Sequence, residues 1–284
     1  MYNIQPPLPA IGGNEGVAKV LSIGSAVRSL RVGDWVIPAL PGFGTWRKYA
    51  ICDEEDVDPI EQNVPIELAA TISVNPCSAY RMLHDYTQLK AGDVIIQNGA
   101  NSSVGMAVIQ LAKHMGVQTI NVVRDRPNLP ELVARLESVG ATTVITDETL
   151  GTPRLMVDVL KKFGDKQPIL GLNCVGGSSA ADIARLLKSA ERERNYRRLH
   201  ARNELRPLNF ISVVIIVLLL RDGSSMVTYG GMSRKPVCIP TGRLIFNDIS
   251  LRGFWLSRWT ETHGKAERRV MIKELMVRHR HYDA

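Results

Sequence analysis

The sequence predicts an α/β protein: a doubly wound parallel sheet with a smaller all-β part ahead of it. Two textures carry that prediction. From about Leu89 onward, β-type runs such as "DVIIQN" and "QTINVV" alternate with segments of helical apolar spacing, the rhythm of parallel βαβ units joined by right-handed crossovers. Residues 11–38 instead read as short β segments, with Gly24-Ser25 and Gly33-Asp34 between runs of Val, Leu and Ile, which suits part of a small barrel.

Taken in order, 93–98 is a buried strand, 104–115 a helix and 118–123 a second strand. Helix 130–139, strand 141–146, helix 154–163, strand 168–174 and helix 180–188 follow, and further strands fall in 226–231 and 249–255. The stretch 189–221 breaks the rhythm, because connections in α/β units usually run ~2–6 residues. Its first half is rich in Arg and Glu, and Phe210–Leu220 is almost wholly apolar. That run falls short of the ~20 residues a helix needs to cross a bilayer. It reads as an insertion foreign to the fold, an extra β segment or partly disordered, with the aggregation liability of uncharged β-branched runs.

With 284 residues, at ~150 per domain the chain suits one large or two ordinary domains. Its 45% hydrophobic and 22% charged content are those of a folded globular protein. The net charge of +7 raises the question of nucleic acid, but the segment 191–221 holds seven Arg and three Glu and so supplies +4 of it. No nucleic-acid or membrane partner is therefore expected. Cys52, Cys77, Cys174 and Cys238 lack C-x-x-C spacing, so they read as buried thiols of a reducing compartment, and no metal site is expected. No leader or transit peptide precedes Tyr2.

The stretch "VIIQNGANSSVG" at 94–105 passes from strand to helix, the place where a Rossmann unit sets a pyrophosphate on a helix N-terminus. Against the pattern G-x-G-x-x-G it presents Ala100, Ser102 and Gly105, so only the last glycine matches. Small side chains and the donors of Asn101, Ser102 and Ser103 keep close approach of a phosphate open; an ordinary N-capped helix is the alternative. The next strand runs into Arg124-Asp125-Arg126. Two guanidinium groups flanking one carboxylate favour the 2′-phosphate of NADPH over the bare ribose of NADH, against the alternative of a solvated charged turn. Tyr229-Gly230-Gly231-Met232 follows another strand end, where paired glycines would let backbone lie against a flat ring or simply form a tight turn.

Together with "PPLPAIGGNEGVAKV", "GDWVIPA", "GTWRKYA", "VNPCSAYRML", "LNCVGG" and "LRGFWLSRW", these stretches resemble the zinc-free medium-chain dehydrogenase/reductases. Within them, the resemblance is to the mitochondrial 2-enoyl thioester reductases of fatty acid synthesis, over about residues 2–188 and 223–260. It implies an oxidoreductase that uses NADPH to reduce trans-2-enoyl groups carried on acyl carrier protein or coenzyme A, a homodimer, and a mitochondrial location, with the cytoplasm left open by the lack of a leader. By position, Asn75, Asn101, Ser102, Ser103, Val104, Arg124, Asp125, Arg126, Tyr229, Gly230, Gly231, Met232, Phe254, Trp255, Leu256 and Ser257 would line the cofactor. Tyr2 holds the place of the family's catalytic tyrosine, four residues before Pro6.

The family pattern has a further β-rich segment before that tyrosine and a longer C-terminal part. The resemblance therefore implies a partial GroES-like catalytic domain over 1–70, an NADPH-binding Rossmann domain over 71–257 interrupted at 189–221, and a shortened return to the catalytic domain over 258–284. The ending "VRHRHYDA" reads as a solvated helix end or an unrelated terminus. Two rival readings stay open: a catalytically silent nucleotide-binding isoform, and a quinone-reductase-like NADPH oxidoreductase.

Overall fold

A computed structural model describes residues 8–189 and 223–280. Tyr2, the stretch 190–222 with its apolar run, and residues 281–284 lie outside the described residues. The chain divides into two compact units, Met1–Tyr80 with Trp255–Ala284, and Arg81–Phe254. The sequence set the first division at 70/71. It falls ten residues later because the start of the helix Asn75–His84 is held by groups of the first unit.

In that first unit, β1 (Ala18–Lys19), β2 (Trp35–Pro38) and β3 (Val57–Ile60) form an antiparallel sheet in that order. Strand structure within 11–38 is thus confined to two short pieces. Leu30, Val36 and Val57 form a small core with Val20, Val27 and Phe43 packed against it. Three strands cannot close around it, and a cavity of about 820 Å³ remains. Helices α1 (Ile66–Thr71) and α2 (Asn75–His84) follow.

The "GGNEG" stretch serves this unit's own architecture. A Cβ on Gly12 would stand 2.7 Å from the Trp46 ring, and Gly13 has φ +99°. Asn14 Oδ1 accepts from the Gly42 amide at 2.8 Å. Glu15 Oε1 accepts from Ser73 Oγ at 3.1 Å and from the Val74 amide at 2.9 Å. Burial pushes the Glu15 carboxyl above its ordinary range, against the pull of those two donors and of Arg268.

The final helix of the chain, Leu256–Arg280, bends at Gly264, whose φ is +82°. So "VRHR" ends a long helix. Trp259, Arg268, Met271, Ile272, Leu275 and Met276 are buried. Arg268 Nη1 and Arg269 Nε each meet Asp58 of β3 at 2.6 Å, and Tyr80 OH of α2 donates to Glu274 at 2.6 Å.

The second unit is built on six parallel strands, β4 (Val94–Asn98), β5 (Gln118–Val123), β6 (Thr143–Thr146), β7 (Leu170–Asn173), β8 (Ser225–Thr228) and β9 (Ser250–Gly253). Their order is β6-β5-β4-β7-β8-β9, the doubly wound arrangement whose direction reverses between β4 and β7. Helices α3 (Ser103–His114), α4 (Leu129–Ser138), α5 (Asp147–Gly151), α6 (Pro153–Lys161), α7 (Gly177–Leu186) and α8 (Thr241–Ile245) connect them. The long C-terminal helix of the first unit is then α9. Each strand and helix of the expected rhythm is present within a few residues; the short α5 and α8 were not expected.

Alternation along the strands sorts their side chains onto two covered faces, as a parallel sheet requires. Val94, Ile96, Ile120, Val122 and Ile145 join Met156, Val159, Phe163, Ile183 and Leu187 in one core. On the other side, Ala100, Ile109, Val123, Leu136 and Ala141 pack together beneath α3 and α4. Two polar residues sit on this side fully buried: Gln97 Nε2 donates to Asn121 Oδ1 at 2.8 Å and to Gly105 O at 3.0 Å. No described helix is long and apolar enough to cross a membrane.

Candidate functional site

The carboxyl ends of β4, β7 and β8 meet at the point where the strand order reverses, and a polar network fixes them there. Asn98 Nδ2 donates to Asn173 Oδ1 at 2.9 Å and to Ser179 Oγ at 3.1 Å, while Asn98 Oδ1 accepts from the Cys174 amide at 2.8 Å. Asn173 Nδ2 donates to Thr228 Oγ1 at 3.1 Å, and Asn173 Oδ1 also accepts from the Gly176 amide at 3.0 Å. Asn98 and Asn173 are fully buried. With their hydrogen bonds made, they rigidify the strand ends without the penalty of unpaired polar groups. The sequence reading placed both asparagines in strands but missed this role.

The loop after β4 is shaped for close approach. Gly99 has φ +60°, and a Cβ there would stand 2.5 Å from Cys174 Sγ; a Cβ on Gly105 would stand 2.5 Å from the Ala100 carbonyl oxygen. Gly105 therefore seats α3 against the loop, the task of the last glycine in the fingerprint. Ser102 caps α3, its Oγ accepting from the Gly105 amide at 3.1 Å, and its own amide donates to Gly99 O at 2.9 Å. Helix geometry leaves the Ser103 and Val104 amides without intrahelical acceptors. Two N–H groups at the positive end of a helix thus face the switch point, a setting that receives an anion.

Tyr229–Met232 continue from β8. The Tyr229 amide donates to Asn173 O at 3.0 Å and the Met232 amide to Cys174 O at 2.9 Å. The two glycines differ: a Cβ on Gly230 would meet Cys174 Cβ and O at 3.1 Å, whereas one on Gly231 meets nothing within 4 Å. The Tyr229 hydroxyl is buried beside the Cys174 thiol and the Ser102 side chain without completing a hydrogen bond. Burial, reinforced by Cys174, pushes its ionisation far above the ordinary phenol range, so it stays protonated and keeps a proton to donate. The Cys174 thiol is likewise raised by burial, which makes it inert. Phe254 is buried with its ring edge-on to Tyr86, 6.4 Å between centroids, so its backbone is what it can offer a ligand.

After β5 the geometry departs from the expected pair of guanidinium groups around one carboxylate. Asp125 Oδ1 accepts from the Arg126 amide at 2.8 Å, and Arg126 Nε donates to Arg124 O at 3.3 Å. A cavity of about 310 Å³ lies alongside, lined by Asn101, Met106, Arg126, Asn128, Glu131, Leu132 and Arg135. Arg126 and Asn101 are brought together there; Arg124 is exposed and lies outside that lining. Sequence reasoning missed Arg135, although it sits nine residues after Arg126 on an amphipathic helix.

Asn75 at the start of α2, and Trp255, Leu256 and Ser257 at the start of α9, belong to the first unit and are partly or well exposed. The expectation of four buried thiols is corrected: Cys77 and Cys174 are buried, but Cys52 and Cys238 are exposed. Among the described residues no group of three or more His, Cys, Asp or Glu is placed to hold a metal ion.

A doubly wound sheet with open amides and a basic cavity at its switch-point edge defines the class of dinucleotide-fold proteins. No protein-family profile matches the chain, but individual proteins do. It is 46% identical over 274 residues to the mitochondrial enoyl-[acyl-carrier-protein] reductase of Homo sapiens, covering 96% of this chain and 64% of that protein. To the reductase of the same name from Caenorhabditis elegans it is 46% identical over 276 residues, covering 97% and 68%. The Etr1p/Etr2p 2-enoyl thioester reductase heterodimer of Candida tropicalis superposes with a TM-score of 0.76 at 36% identity, over 93% of this chain and 67% of that one. An Escherichia coli quinone oxidoreductase, at 19% identity and a TM-score of 0.68, shares the fold alone. The chain belongs to the mitochondrial enoyl-[acyl-carrier-protein] reductase family. It spans 64% of the length of its human relative.

Proposed function

We propose that this protein binds NADPH and reduces trans-2-enoyl thioesters, on coenzyme A or acyl carrier protein, to saturated acyl thioesters in mitochondrial fatty acid synthesis. One observation carries the cofactor reading: the open Ser103 and Val104 amides share the β4 carboxyl end with the basic cavity of Asn101 and Arg126. In this reading the diphosphate sits at the helix and the adenosine 2′-phosphate at the guanidinium, with Asn101, just before the helix, in the same cavity lining as Arg126. A solved complex of an Etr1p enoyl thioester reductase, 35% identical to this chain, contains NADP and crotonyl-CoA, which supports both halves of the reading.

When bound, NADPH supplies a hydride to Cβ of the enoyl thioester. This chain's residues hold the two ends of the dinucleotide and keep the Tyr229 phenol protonated at the site. The enolate left on the substrate needs a hydrogen bond at oxygen and a proton at Cα. Tyr2 takes that role by its place in the family pattern, since a phenol of reference pKa ~10 is protonated at neutral pH. NADPH oxidation followed by absorbance with crotonyl-CoA tests the proposal. Tyr2→Phe is expected to lower kcat by ~100-fold or more while NADPH affinity holds. An unchanged rate removes Tyr2 from the mechanism, and absence of NADPH binding removes the whole reading.

The same chain is proposed to pair with a second copy through β9. Among the described residues this strand pairs only with β8, and Leu251 on it, with Ile245 and Phe246 just before it, is exposed.

A further inference from the structure

The cavity beside the β5–α4 turn is lined by a second cation, Arg135, besides Arg126. Positions 128, 131, 132 and 135 of α4 and its cap are spaced by three and four, so they share one helix face, and all four line the cavity. Arg135 is exposed. Glu131, at i,i+4, is its natural ion-pair partner, yet no salt bridge joins them, and Arg135 has no carboxylate partner among the described residues. Arg126, in the same lining, is tethered through Nε to the Arg124 carbonyl at 3.3 Å, which leaves its terminal N–H groups free to turn inward. Met106 and Leu132 add apolar wall.

Two guanidinium groups against one carboxylate give the lining a net positive charge. The volume of about 310 Å³ exceeds that of a water molecule, ~30 Å³, by about tenfold, enough to admit a phosphate monoester. We infer that Arg135 is a specificity-determining residue: with Arg126, which lines the same cavity, it holds the 2′-phosphate of the cofactor. The inference rests on the NADPH reading above and extends it from the turn after β5 to the helix beyond. Glu131 then acts against binding, as the one anion in the lining.

Equilibrium titration with NADPH and NADH, followed by cofactor fluorescence, tests this on the full chain. Arg135→Gln is expected to weaken NADPH ~10-fold, the loss of one charge-assisted hydrogen-bonded contact, with NADH affinity unchanged. Arg135→Lys restores part of the loss, because it returns the charge without the planar fork. Glu131→Gln tightens NADPH alone. An exposed, unpaired Arg135 contributes little to folding, so the unfolding midpoint of Arg135→Gln should match wild type. Wild-type NADPH affinity in Arg135→Gln, or equal weakening of both dinucleotides, overturns the inference while leaving the cofactor reading standing. A wild-type protein that binds NADH as tightly as NADPH overturns both.

Discussion

Gly230 and Gly231 are neighbours under opposite constraints, and the difference separates folding from binding. A methyl group at Gly230 would press on the Cys174 backbone and Cβ at 3.1 Å, in a loop already pinned by the Asn98 and Asn173 network. Gly230→Ala is expected to cost ~1–3 kcal/mol of stability, the usual penalty of overpacking. At Gly231 the same methyl meets nothing within 4 Å, and stability should stay within ~0.5 kcal/mol of wild type. If that open space belongs to the cofactor, Gly231→Ala weakens NADPH ~10-fold, which corresponds to ~1.4 kcal/mol. Urea unfolding and NADPH titration of the two variants read the two effects apart. Equal cofactor affinity in Gly231→Ala and wild type would place the dinucleotide elsewhere.

Among the elements, α9 depends most on a single charge cluster. Asp58 is 2% exposed and Arg268 6% exposed; their contact at 2.6 Å is completed by Arg268 Nη2 donating to Pro38 O at 3.1 Å. Removing one partner of a buried pair strands the other. Asp58→Ala is therefore expected to lower stability by ~3–5 kcal/mol. Arg269 meets the same carboxylate from a half-exposed position, and Arg269→Ala should cost under ~1 kcal/mol. Denaturant unfolding distinguishes the two, and equal losses would mean that burial is not what sets the strength of the cluster. This element was also the least legible in the sequence. The spacing of 268, 271, 272, 275 and 276 is helical, but Gly264 interrupts the pattern, and Asp58 is 210 residues away from Arg268. Strands β4 to β8 of the second unit, by contrast, were legible because both faces of a parallel sheet are covered, so they read as largely apolar runs between turn signals; the edge strand β9 is exposed and lacks such a run.

For the whole molecule, legibility followed the distance in sequence between cooperating residues. The strand-to-helix passage at 94–105 was readable because its glycine, serines and helix cap are contiguous. Asn98, Asn173 and Thr228 become one network only when β4, β7 and β8 lie side by side, and Arg135 joins Arg126 only when α4 folds back along the sheet. Surface character is as local as a motif, so β9 can be argued directly. Ser250 is part-buried and the other three residues of β9 are exposed, and Leu251 is 41% exposed with Ile245 at 66% and Phe246 at 69%. Among the described residues β9 pairs with β8 alone; an unpaired strand edge recruits another strand, and two copies meeting at β9 about a twofold axis would satisfy both edges with one self-complementary surface in which Leu251, Ile245 and Phe246 supply the apolar contact. A lysine at Leu251 places a solvated charge in that surface, the device that blocks edge pairing. Sedimentation is expected to find a dimer for wild type and a monomer for Leu251→Lys. NADPH binding through Arg126 and the loop around Ser102 should be retained in the monomer, because β5 and β4, which they follow, are not neighbours of β9 in the strand order. A monomeric wild-type protein at micromolar concentration, or a Leu251→Lys variant that stays dimeric, would rule out β9 as the pairing edge.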